Sequence, residues 1–129
     1  MNTVRILSVD DNEAMRYVRR RGLERAGFAV VEARSGEEAL RAAAEHRPDL
    51  VLLDVRLGDA NGGAICRKLK EERPDVLVVL ISAAAVLSGD REGARRFGAD
   101  AYVTEPVRDE DLVRLLSALL DKASSASGS

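Results

Sequence analysis

Two periods alternate along the chain. Apolar residues run almost unbroken through VRILSV (4–9), FAVVE (28–32), LVLLD (50–54), VLVVLIS (76–82) and AYVT (101–104). These runs are short and rich in β-branched residues, as strands buried on both faces require. Between them the spacing becomes helical. Over 12–26, Met15, Val18, Gly22, Leu23 and Ala26 share one face. SGEEALRAAAEHR opens with a capping box, Ser35 to Glu38, and Pro48 follows its end. A helix over 61–72 carries Ile65, Cys66 and Leu69 inward. A fourth helix, about 88–97, is the weakest, because Gly89 and Gly93 lower its propensity. The last helix has the stripe Leu112, Leu115, Leu116, Leu119 and Leu120. Asp109, Glu110 and Asp111 at its start suit the positive end of the helix dipole.

Five β-α units in this order predict an α/β fold with a parallel sheet covered by helices on both faces. Five strands cannot close an eight-stranded barrel. The expected architecture is an open, doubly wound five-stranded parallel sheet of order 2-1-3-4-5. With 129 residues, 46% of them hydrophobic, the chain suffices for one self-sufficient core. Residues 1–122 form that domain, and ASSASGS (123–129) reads as a flexible tail or linker remnant.

Composition removes several functions. A net charge of −2 gives no electrostatic case for nucleic acid or membrane. Tryptophan is absent, so base-stacking platforms are not expected. A single cysteine excludes an intrachain disulfide, and the start has no signal-peptide shape, which together predict a cytoplasmic location. Cys66 reads as a core thiol and His46 as a surface residue rather than a ligand.

The chemistry lies at the strand ends, where open parallel sheets bind ligands. Asp10 and Asp11 follow the first strand, Asp54 ends the third, Ser82 the fourth, and Thr104 and Glu105 the fifth. Glu32 ends the second strand, at the sheet edge. The first β-α turn, DDNEA, is acidic rather than glycine-rich, which excludes dinucleotide and P-loop sites. Converging carboxylates favour a hard, oxygen-loving ion, Mg²⁺ above all. Each acid alone has a structural reading, as a helix cap or turn residue. Their shared position at one sheet edge is what points to a site.

These segments resemble a response-regulator receiver domain, the phosphoacceptor module of two-component signalling with a flavodoxin-like (βα)5 fold. SVDDNE is similar to the family's acidic pair, PDLVLLDVRLGDANGG to the phosphoacceptor segment, VLISAA to the strand with the switch hydroxyl, and GADAYVTEPV to the last strand and its Lys-Pro turn. The resemblance covers residues 4–121. It implies that Asp54 takes a phosphoryl group from a histidine of a sensor kinase or phosphotransfer protein. Asp10, Asp11, Asp54 and the Arg56 backbone carbonyl would hold Mg²⁺. Ser82 would hydrogen-bond the phosphoryl group. Tyr102 would follow Ser82 and couple the site to the face of the fourth helix, fifth strand and last helix, a face through which a homodimer is also conceivable. Arg56 and Ala84 would tune dephosphorylation. No other enzymatic activity is implied.

Gly58 and Asn61 depart mildly from the family pattern and are expected to loosen the loop after Asp54. Glu105 departs seriously, because the family has lysine there. Like charges about 4 Å apart oppose each other by roughly 4 kcal/mol at an effective dielectric near 20. Three arrangements would relieve this: Glu105 turned to solvent, protonated by crowding, or bound to a cation. A cis Glu105–Pro106 peptide, common in the family's Lys-Pro turn, would fix the carboxylate's direction. Two activities follow: a phosphoacceptor with altered kinetics, or a pseudo-receiver that uses the fold for protein contacts. A flavodoxin-like ligand binder is a third, weakened by the missing phosphate loop. Arg19, Arg20 and Arg21 read as a solvated helix face, with kinase docking or a nucleic-acid patch as alternatives. The chain carries no helix-turn-helix and no output enzyme, so it reads as a stand-alone receiver or a piece of a longer regulator.

Overall fold

A computed structural model describes residues 3–57, 60–83 and 98–127. Its central sheet has the strands β1 (Arg5–Val9), β2 (Ala29–Ala33), β3 (Leu50–Asp54), β4 (Leu77–Ala83) and β5 (Ala101–Glu105). All neighbours are parallel, and the order is β2-β1-β3-β4-β5, the order the alternation predicts. The helices are α1 (Glu13–Arg25), α2 (Gly36–His46), α3 (Gly62–Glu72) and α4 (Asp109–Ser127). The expected helix near 88–97 lies outside the described residues. No described helix is long and apolar enough to cross a membrane.

Strand alternation divides the core in two. On one face Leu7, Val9, Val51, Leu53, Val78 and Leu80 pack under α2 and α3, through Ala39, Ala43, Ile65, Cys66 and Leu69. On the other, Ile6, Leu52, Val79, Ile81 and Val103 meet Leu23 of α1 and Leu112 and Leu116 of α4. Burial pushes the Cys66 thiol up to about 11, as befits an inert core residue. His46, partly exposed at the end of α2, joins no acidic or cysteine cluster among the described residues.

Local chemistry sets the helix starts. Asn12, Ser35 and Asn61 cap α1, α2 and α3, accepting from the backbone N–H of Met15, Glu38 and Gly63. Asn61, expected to loosen its loop, thus fixes the start of α3 instead, with Oδ1 at 2.7 Å from the Gly63 nitrogen. Gly58 lies outside the described residues.

Three features differ from expectation. A two-residue antiparallel ribbon, Arg56–Leu57 against Ala60–Asn61, occupies the loop after β3. It pairs backbone groups that the loop would otherwise leave to water. Second, α4 continues to Ser127, through most of the segment read as a tail. Ala123 and Ala126 prolong it, since adding residues to an existing helix is easy and alanine is its best former. Third, α1 is rotated: Val18 is 56% exposed and Ala26 is also exposed, while Arg19, Gly22 and Leu23 are buried.

Candidate functional site

The sheet register brings the predicted residues to one edge. Ser82 pairs with Thr104, and Ala83 with Glu105. The Val55 N–H donates to the Ile81 carbonyl at 3.0 Å, tying the start of the loop after Asp54 to β4. Asp10, Asp11 and Asp54 each offer one oxygen within 4.8 Å of the others. Asp10 is buried, Asp54 half-buried and Asp11 exposed, so the group opens to solvent on one side. An all-oxygen donor set with access for water suits Mg²⁺, which keeps several of its waters.

Each carboxylate is aimed locally. Asp10 Oδ1 accepts from the Asn12 N–H at 2.9 Å, and Asp54 Oδ1 accepts from the Arg56 N–H at 2.9 Å. Arg56 opens the small ribbon with its side chain exposed. Burial, more than any charge, raises the Asp54 carboxyl from 3.8 to about 6. The Arg56 N–H opposes that shift, and the negative charges of Asp10, Glu105 and Asp11 add to it. Asp10 is raised too, again chiefly by burial.

Gly62 is indispensable to this geometry. A Cβ there would strike the Asp54 carbonyl oxygen and lie 2.7 Å from the Val55 Cα, both backbone atoms. The Gly62 N–H donates to the Val55 carbonyl at 2.8 Å, so α3 begins hard against the loop. Gly62→Ala is expected to lower stability by about 1–3 kcal/mol, measured by urea unfolding. A neutral effect would mean that the loop yields freely.

The structure gathers Asp10, Asp11, Asp54, Ser82 and Glu105 at the carboxyl ends of β1, β3, β4 and β5. Ser82 is only 3% exposed. Tyr102 packs against the core on the α2–α3 side. Ala84 lies outside the described residues. Glu32 is held apart from the group by ion pairs to Arg16 at 3.5 Å and Arg20 at 3.0 Å.

Glu105 is neither fully turned to solvent nor part of the metal-competent carboxylate group; it meets a cation supplied by the chain itself. It precedes Pro106 in a cis peptide, and its side chain is only 20% exposed. It stands outside the Asp10–Asp11–Asp54 group and meets Arg19, Nη2 to Oε2 at 3.5 Å. The arginine run is therefore not one solvated face. Arg20 and Arg21 are exposed, Arg20 pairing with Glu24 and Glu32 and Arg21 lying 5.9 Å from the Tyr17 ring centre. Arg19 is turned in. Sequence reading missed it because an apolar criterion selects Val18. The spacing of Met15, Arg19 and Leu23, four residues apart, together with an acid lacking a partner at 105, was the available signal.

Fold and site together define a doubly wound domain with an acidic cluster at its strand ends. The chain matches the response regulator receiver domain family over residues 6–117. It is 38% identical over 125 residues to response regulator MprA of Mycobacterium sp. (strain KMS), covering 97% of this chain and 54% of that protein. It is 33% identical over 123 residues to the polar-differentiation response regulator DivK of Brucella ovis, covering 94% and 99%. A CheY-like receiver domain protein from Methanospirillum hungatei superposes with a TM-score of 0.91 at 29% identity, covering 97% and 99%. The chain belongs to the response regulator receiver domain family of two-component signalling. It spans about half the length of the MprA relatives and nearly all of DivK.

Proposed function

We propose that this receiver is a working phosphoacceptor with Asp54 as its nucleophile. A carboxylate oxygen of Asp54 forms the new O–P bond as the N–P bond to a phosphohistidine breaks, and the imidazole leaves. The observation that carries this reading is the convergence of Asp10, Asp11 and Asp54 within 4.8 Å at the sheet's carboxyl edge. Asp10, Asp11, Asp54 and the Arg56 carbonyl would hold Mg²⁺, which when bound supplies charge neutralisation for the phosphoryl oxygens. Ser82 donates its hydroxyl to a phosphoryl oxygen, and Tyr102 passes that change to the face of β5 and α4. Arg56 and Ala84 govern the approach of water. The domain turns over no other substrate and works in the cytoplasm.

The donor is a sensor histidine kinase or a histidine phosphotransfer protein. The exposed Tyr17 and Val18 on α1, 59% and 56% accessible, suit an apolar docking contact for it. A homodimer through β5 and α4 is a second partner consistent with the family. Glu105 in place of lysine is the one observation favouring a pseudo-receiver that works by protein contacts alone, and its pairing with Arg19 weakens that case.

Incubation with acetyl phosphate and Mg²⁺, read by intact mass, tests the reading. One added phosphoryl group is expected. Its absence, while another receiver labels in parallel, would remove the phosphoacceptor function.

A further inference from the structure

Arg19 is a buried cation where helical packing calls for an apolar side chain. Its side chain is only 9% exposed. A guanidinium keeps its proton in proteins, so burying it requires carboxylates nearby. Two strands supply them. Glu105 on β5 makes the 3.5 Å contact, and Asp10, buried directly after β1, lies at the same carboxyl edge of the sheet. Ala83 pairs in register with Glu105, so that carboxylate stands at the edge where β1 and β3 present Asp10 and Asp54. The buried pair thus joins α1 to β5 at the sheet edge that carries the acidic group.

We propose that Arg19 and Glu105 form a positioning pair that sets the cation affinity of the Asp10–Asp11–Asp54 group, Arg19 weakening it and Glu105 strengthening it. Arg19 supplies from α1 the positive charge that Glu105 removes from β5, and the carboxylate holds it in place. The inference rests on the phosphoacceptor reading, to which it adds the source of the compensating charge.

Isothermal titration calorimetry with Mg²⁺ on the metal-free protein tests it. Arg19→Met is expected to tighten the dissociation constant by roughly threefold or more, and Glu105→Gln to weaken it by a similar factor. The double variant should return to within about twofold of the parent. Opposite signs are what packing roles alone would not produce. Shifts of the same sign, or none, overturn the proposal. If Arg19→Met does not fold, Arg19→Lys and Glu105→Gln carry the test: the first must keep the parent's affinity and the second must weaken it, and failure of either is a refutation. A parent protein that takes up no Mg²⁺ overturns the phosphoacceptor reading as well, whereas Mg²⁺ uptake without opposed shifts overturns only the pair.

Discussion

Asp54→Asn is expected to abolish labelling by acetyl phosphate and, without metal, to make the domain more stable at pH 7.5. The second effect follows from the raised Asp54 carboxyl, at about 6 against an ordinary 3.8. Between those values the folded protein binds more protons than the unfolded chain, so stability falls as pH rises through the window. The penalty is complete above pH 6 and absent below about 4. Two pH units correspond to roughly 3 kcal/mol, and the partial exposure of Asp54 brings the expectation to about 2 kcal/mol. Asparagine keeps a side-chain oxygen for the Arg56 N–H but carries no charge. Urea midpoints of the two proteins should diverge between pH 4 and 7.5 and coincide at the acid end. Saturating Mg²⁺ should narrow the gap, because it binds the native parent and leaves the unfolded chain alone. An asparagine variant less stable at pH 7.5, or a gap independent of pH, would contradict the burial argument. Labelling that persists in Asp54→Asn would name another nucleophile.

What could be read from the chain tracks how local each cause is. Val51 to Leu53 read as a buried strand because both faces are covered, and a continuous apolar run has no other economical use. Once the strands were placed, their ends located Asp10, Asp11, Asp54, Ser82 and Glu105, since a parallel sheet sends every strand to the same edge. The ribbon of Arg56–Leu57 and Ala60–Asn61 was not legible, because two-residue pairings leave no hydrophobic period. The orientation of α1 was misread for a related reason. Apolar periodicity assumes that only apolar groups turn inward, and it cannot see a charge whose partner is 86 positions away, as Glu105 is from Arg19. Glu105 looked uncompensated for the same reason.

That pairing gives the other large effect. Arg19→Met is expected to destabilise the metal-free domain by about 2–3 kcal/mol. Removing one partner of a buried pair leaves the other charge without its counter-ion, which costs about 3–5 kcal/mol when both are fully enclosed. Glu105 is 20% exposed, so water recovers part of that. The loss also has a collective component, because Asp10, which already feels Glu105 as an unfavourable charge, would lose the favourable charge of Arg19. Adding Glu105→Gln to Arg19→Met should therefore restore most of the stability. Methionine fills the volume of the arginine stem, and the neutral amide no longer needs a cation. Mg²⁺ should restore a share in the single variant, since it neutralises the same carboxylates. Thermal unfolding of the four proteins, with and without Mg²⁺, separates the alternatives. A purely steric role for Arg19 predicts that the double variant is no better than Arg19→Met, and that Mg²⁺ raises parent and variant equally. A charge role predicts recovery by Glu105→Gln and a larger gain from Mg²⁺ in the variant that keeps Glu105.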